Sequence, residues 1–149
     1  MNNKKSIALF AGTFDPYTIG HHSIVTRALN MFDKIIIAVG HNCAKTSLTD
    51  AEKRTENIKR IYSNEPRIEV VTYEGVTADF AKEQGACCLL RGVRSIKDFE
   101  YERDLADINR EISGIETIIL PSEPQHAAIS SSAVRELMSY GKDISKFLP

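Results

Sequence analysis

Gly12-Thr13-Phe14-Asp15-Pro16-Tyr17-Thr18-Ile19-Gly20-His21 is the stretch on which the reading of this chain turns. It follows a short apolar run, Ile7-Ala8-Leu9-Phe10-Ala11, that reads as a buried strand bounded by a glycine. After it, Ile24, Val25, Ala28, Leu29 and Phe32 recur at helical spacing, which predicts a helix beginning near Gly20 or His21. The local order is strand, glycine-containing turn, helix. That order gathers backbone N–H groups and the positive end of a helix at one point, a ready site for phosphate. Asp15-Pro16 marks a tight turn, and Gly12 and Gly20 allow close backbone approach. Asp15 suits a turn-stabilising role and a ligand contact equally well.

Outward from this stretch the same alternation repeats. Ile35-Ile36-Ile37-Ala38-Val39 is a continuous apolar run rich in β-branched residues, the pattern of a strand covered on both faces. A polar loop from His41 to Leu48 contains Lys45, and Thr49-Asp50-Ala51-Glu52 is a capping-box pattern opening a helix to about Tyr62. Arg67 to Tyr73 forms a third strand, and Thr77 is placed to cap a short helix through Gln84. Ala86 to Leu90 makes a fourth strand, followed by Arg91-Gly92-Val93-Arg94 as a loop. Ser95 with Asp98 opens a long charged helix to about Ser113, and Thr117 to Leu120 is a fifth strand. A proline-flanked loop then leads through Ile129-Ser130-Ser131-Ser132 into a helix ending at Tyr140-Gly141. Strands alternating with helices predict an α/β fold: a Rossmann-like, doubly wound, five-stranded parallel sheet with helices on both faces. Neither G-x-G-x-x-G nor G-x-x-x-x-G-K-[ST] occurs, which removes the main support for dinucleotide and P-loop readings.

Composition narrows the class. The 149 residues suit a single domain, 1–149, and 42% hydrophobic with 26% charged residues is ordinary for a globular protein. A formal net charge of −1 gives no support for a nucleic-acid-binding surface. No apolar run approaches the ~20 residues a membrane span needs, and the N-terminus lacks the pattern of a signal peptide. Cys43, Cys87 and Cys88 form no C-x-x-C pair, so free thiols in a reducing cytoplasm are expected.

The polar residues gather by position. Thr13 and His21 follow strand one, Lys45 follows strand two, Arg91 and Arg94 follow strand four, and Ser130, Ser131 and Ser132 follow strand five. Open parallel sheets bind ligands at these strand ends, and cations, hydroxyls and helix N-termini together suit a polyphosphate. His22 is expected to face the helix flank or solvent. Lys45 alone would read as a solvated lysine, and the serines as an N-cap with spacers. The charges of the long helix read mostly as a solvated or interface face.

Thr18-Ile19-Gly20-His21 resembles the HIGH-type signature of the nucleotidylyltransferase superfamily, with Thr in place of the first His. With Gly12 to Pro16 in front, the block resembles more narrowly the bacterial phosphopantetheine adenylyltransferase family. Arg91-Gly92-Val93-Arg94 with Asp98-Phe99-Glu100-Tyr101-Glu102 is similar to that family's R-G-[LV]-R…D-F-E-Y-E block. Ile129-Ser130-Ser131-Ser132 with Arg135 resembles its I-S-S-[ST]-x-x-R segment, and Phe147-Leu148-Pro149 its F-L-P tail. His126 departs from the tryptophan that many members carry there.

The resemblance implies transfer of AMP from ATP to 4′-phosphopantetheine, giving dephospho-coenzyme A and pyrophosphate. By the same resemblance His21, Lys45 and Arg94 would be catalytic. Thr13, Phe14, His21, Gly92, Val93, Arg94, Glu102 and the run His126, Ala127, Ala128, Ile129, Ser130, Ser131, Ser132 would bind ATP. Thr13, Lys45, Thr77 and Arg91 would bind the acceptor. No carboxylates cluster with metal-ligand spacing, so Mg²⁺ would be held mainly by the ATP phosphates. The family also implies a homohexamer, while the charge, hydropathy and cysteine readings above lead to the expectation of a cytoplasmic protein without nucleic-acid or membrane partners. A CTP-using sister enzyme and a non-catalytic nucleotide sensor are the rival readings.

Overall fold

The computed structural model describes residues 3–42 and 48–149, with Leu48 and Thr49 described by backbone alone. Five strands form one sheet: β1 (Ile7–Gly12), β2 (Lys34–Gly40), β3 (Ile68–Tyr73), β4 (Cys88–Val93) and β5 (Glu116–Pro121). Their order is β3-β2-β1-β4-β5, and all pairings are parallel. The chain first winds from β1 outward to β3, then returns to place β4 on the other side of β1. The strand order thus reverses between β1 and β4, and the crevice at such a reversal is where open parallel sheets take ligands.

Successive strand residues point to opposite faces, so each inner strand feeds two cores. On one face Ala8, Phe10, Ile35, Ile37 and Val39 pack with Ile24, Val25 and Ala28 of α1 (Ile19–Ala28). Ile58 of α2 (Leu48–Ile61) joins them, with Tyr62 just beyond. On the other face Leu9, Ala11, Ile36 and Ala38 pack with Ala78 and Ala81 of α3 (Thr77–Glu83). Both faces are covered, which is why Ile35 to Val39 are apolar at every position. The remaining helices are α4 (Ile96–Ser113) and α5 (Ser131–Ser139), with short 3₁₀ turns at Pro124–His126 and Ser145–Phe147.

Caps match the sequence where the capping residue is polar and free. Ser95 Oγ accepts from Asp98 N–H at 3.2 Å to start α4, and Gly114 ends it at a φ of 74°. Four boundaries depart from expectation. Helix α2 begins at Leu48, so Thr49 stands inside it and not at its cap. Helix α1 starts at Ile19 because Thr18 is its N-cap. Helix α3 is capped by Val76, without a side-chain bond, because the Thr77 hydroxyl is engaged with the Tyr73 hydroxyl at 2.7 Å. Strand β4 runs on through Arg91, Gly92 and Val93 because these pair with Ile119, Leu120 and Pro121 of β5. Arg91 is therefore a strand residue and not a loop residue.

Candidate active site

The signature stretch builds its own support. Thr18 Oγ1 accepts from His21 N–H at 3.4 Å, and Thr18 N–H donates to His21 Nδ1 at 2.9 Å. This reciprocal capping box turns a threonine and a histidine, three residues apart, into one rigid unit. The His21 ring stacks on Tyr17, with centroids 5.3 Å apart, and meets the Phe14 ring edge-on at 5.1 Å. Burial, then the positive charges of Arg91 and Arg94, lower its pKa from 6.5 to about 4. The imidazole is neutral at pH 7.

A cavity of about 310 Å³ opens beside it at the ends of β1 and β4. Thr13, Phe14, His21, Gly92, Arg94, His126, Ile129, Ser130, Ser131 and Ser132 line it, together with Arg91. Gly92 lets α1 lie close against β4, since a Cβ there would meet Ile24 Cγ1 at 3.0 Å. Ser130 caps α5, its Oγ accepting from Ala133 N–H at 3.1 Å. Ser131 Oγ donates to the Pro16 carbonyl at 2.8 Å, and Arg135 Nη1 donates to the Asp15 carbonyl at 2.6 Å. The N-terminus of α5 is thus clasped to the turn before His21, 115 residues away in sequence. His126 Nδ1 is buried without a hydrogen-bond partner among the described residues.

A second cavity, of about 210 Å³, adjoins the first at Ala11, Gly12 and Arg91. Thr77, Glu102, Leu105, Ala106 and Asn109 line it. Arg91 forms its wall: Nε and Nη2 donate to the two Glu102 oxygens at 2.8 and 2.7 Å, and Nη1 donates to the Ala11 carbonyl at 2.6 Å. Burial works against the Arg91 charge, but the bonds and charge of Glu102 outweigh it and raise the pKa. A third cavity, near Thr13, His41 and Glu74, has a volume of about 340 Å³.

The expected site residues are therefore distributed unevenly. Most ring the first cavity, whereas Thr77 and Glu102 line the second and Arg91 divides the two. Val93 faces the interior, and neither it nor Ala127 or Ala128 lines the first cavity. Lys45 lies outside the described residues. His22 does not simply face solvent: its Nδ1 meets the Tyr62 hydroxyl at 2.9 Å, and that hydroxyl lies 2.5 Å from Tyr17 Oη. Sequence reading missed Thr18 as the cap, although a threonine three residues before His21 was the available signal. It also missed Arg54, whose Nη1 donates to the Thr13 carbonyl. Among the described residues no cluster of His, Cys, Asp or Glu could hold a metal ion, and no helix is long and apolar enough to cross a membrane.

The chain matches the cytidylyltransferase-like family over residues 9–137. It is 55% identical over 146 residues to a phosphopantetheine adenylyltransferase of Porphyromonas gingivalis, spanning 98% of this chain and 95% of that protein. The enzyme of the same name from Bacteroides thetaiotaomicron is 52% identical, across 95% of this chain and 94% of its own. Among solved structures, a Vibrio parahaemolyticus protein named as a candidate nicotinate-nucleotide adenylyltransferase superposes with a TM-score of 0.66 at 18% identity, covering 97% and 94% of the two chains. That likeness speaks for the fold alone. Near-full-length identity above half, together with the family match over most of the chain, leads to a single conclusion: the chain belongs to the phosphopantetheine adenylyltransferases, within the cytidylyltransferase-like family.

Proposed function

We propose that this chain transfers AMP from ATP to 4′-phosphopantetheine, giving dephospho-coenzyme A and pyrophosphate. An acceptor phosphate oxygen attacks the α-phosphorus, the bond from that phosphorus to the bridging oxygen breaks, and pyrophosphate leaves. Two anionic reactants must meet in line, so catalysis comes from positioning and charge stabilisation. The observation that carries the reading is the neutral His21 in a cavity lined by Arg91, Arg94 and the serine run. With Nδ1 occupied by Thr18 N–H, Nε2 carries the proton and is free to donate to oxygens of the α-phosphate.

Arg94, Ser131 and neighbouring N–H groups would take the β- and γ-phosphates. Thr13 and Lys45 would hold the attacking phosphate, with Arg91 and Thr77 on the acceptor side. The adjoining 210 Å³ cavity, which mixes Leu105 and Ala106 with Asn109, suits a chain of alternating methylenes and amides. Mg²⁺ would arrive with ATP, bound by its phosphates and water, which fits a wall of cations and hydroxyls. Assembly as a homohexamer and action in the cytoplasm belong to the same reading.

Incubation with Mg²⁺–ATP and candidate phosphates, assayed for pyrophosphate, tests it. Turnover is expected with 4′-phosphopantetheine, and far less when CTP replaces ATP or nicotinamide mononucleotide replaces the acceptor. Equal turnover with CTP would overturn the assignment, as would ATP binding without pyrophosphate.

A further inference from the structure

Phe14 has a φ of 52°, in the left-handed region that a phenylalanine occupies only when its surroundings hold it there. Its ring is held edge-on by Phe10 and Tyr17, at centroid distances of 5.2 and 5.4 Å. Its main chain is held from α2, where Arg54 Nη1 donates to the Thr13 carbonyl. The Nη2 of the same guanidinium is buried and has no hydrogen-bond partner among the described residues. A buried donor left unpaired is costly, so packing alone does not account for an arginine at this position.

We propose that Arg54 is a positioning residue that presents the Phe14 N–H to a phosphate oxygen of the nucleotide. The Thr13–Phe14 peptide is trans, so its C=O and N–H point in opposite directions. Anchoring the carbonyl therefore aims the N–H. That N–H donates to no backbone carbonyl among the described residues, and both Thr13 and Phe14 line the 310 Å³ cavity. The cation beside the carbonyl also polarises the peptide and strengthens its donor end. Arg54 itself does not line the cavity; it acts through Thr13. The inference rests on the adenylyl-transfer reading for the identity of the ligand.

The test compares the full-length wild type with Arg54→Met and Arg54→Lys. The Phe14 amide signal is followed in ¹⁵N spectra as Mg²⁺–ATP is added, and pyrophosphate formation is measured alongside. The wild-type amide proton should move downfield on ATP addition, the Met variant should lose that response, and the Lys variant should keep part of it. Turnover of Arg54→Met should fall about 10- to 100-fold, as expected for a misplaced reacting geometry. An amide that responds equally in wild type and Met variant, or that does not respond in the wild type, overturns the proposal. So does unchanged turnover. Loss of the folded spectrum in both variants would also overturn it, because Arg54 would then serve the fold alone. A wild type that binds ATP without forming pyrophosphate would instead overturn the proposed reaction, and the amide comparison would still decide the role of Arg54.

Discussion

Thr18 N–H donates to Nδ1 of His21 at 2.9 Å, which leaves the proton of the neutral imidazole on Nε2. The N-cap of the helix thereby selects the tautomer of the residue three positions on. A motif that reads in sequence as a histidine after a glycine is, in space, a donor with its direction and protonation both set.

His21 should titrate far from an ordinary histidine. Its pKa is lowered to about 4, first by burial and then by Arg91 and Arg94. NMR titration should show no His21 transition between pH 6 and 8. The unfolded chain would bind a proton near pH 6.5 that the folded chain refuses until about pH 4, so stability should fall with pH across that window. The contribution lost is on the order of 3 kcal/mol. A midpoint near 6.5 would contradict the buried, neutral state.

His21→Ala should lower turnover by roughly 100- to 1000-fold, the usual effect of removing one transition-state donor. ATP affinity should change comparatively little. The attacking phosphate monoester has a second pKa of about 6 and needs no base at neutral pH. His21→Asn or His21→Gln, which can still donate, should therefore recover part of the rate. Recovery by neither amide, with a wild-type rate that tracks a basic imidazole, would rule out the donor role.

Glu102→Ala should destabilise the fold by about 3 kcal/mol, because it strands the Arg91 charge in the wall between the two cavities. This is the low end for a broken buried pair, since the Arg91 side chain keeps 32% of its exposure while Glu102 keeps 8%. Use of the acceptor should weaken as Arg91 loses its orientation. Urea unfolding and acceptor KM together measure this; a midpoint and KM both unchanged would mean the ion pair orients nothing.

Helix α4 leaves Tyr101, Ile108 and Ile112 more than half exposed, at 63%, 56% and 57%, and their spacing puts them on one stripe. Light scattering should give a mass about six times the 16.6 kDa chain, and Ile108→Asp should reduce it. A monomer at working concentration in the wild type would refute the assembly.

How much of this was legible in advance differs by element. Ile35 to Val39 announced a doubly covered strand, and Ser95 with Asp98 announced the start of α4, because apolar periodicity and caps are local properties. The parallel α/β class followed, as did the gathering of His21, Arg94 and the serine run at strand ends. Where β4 stops was not local: Arg91, Gly92 and Val93 are strand residues only because Ile119, Leu120 and Pro121 lie alongside. The same holds inside the site. Glu102 meets Arg91 across 11 residues, Arg54 meets Thr13 across 41, and Arg135 meets Asp15 across 120. Sequence alone determined the alternation of strands and helices and placed His21 among cations and hydroxyls at the strand ends. Only the tertiary structure decided which carboxylate holds which cation, which carbonyl is anchored and which imidazole nitrogen keeps its proton, because each depends on a partner brought near by packing and not by chain spacing.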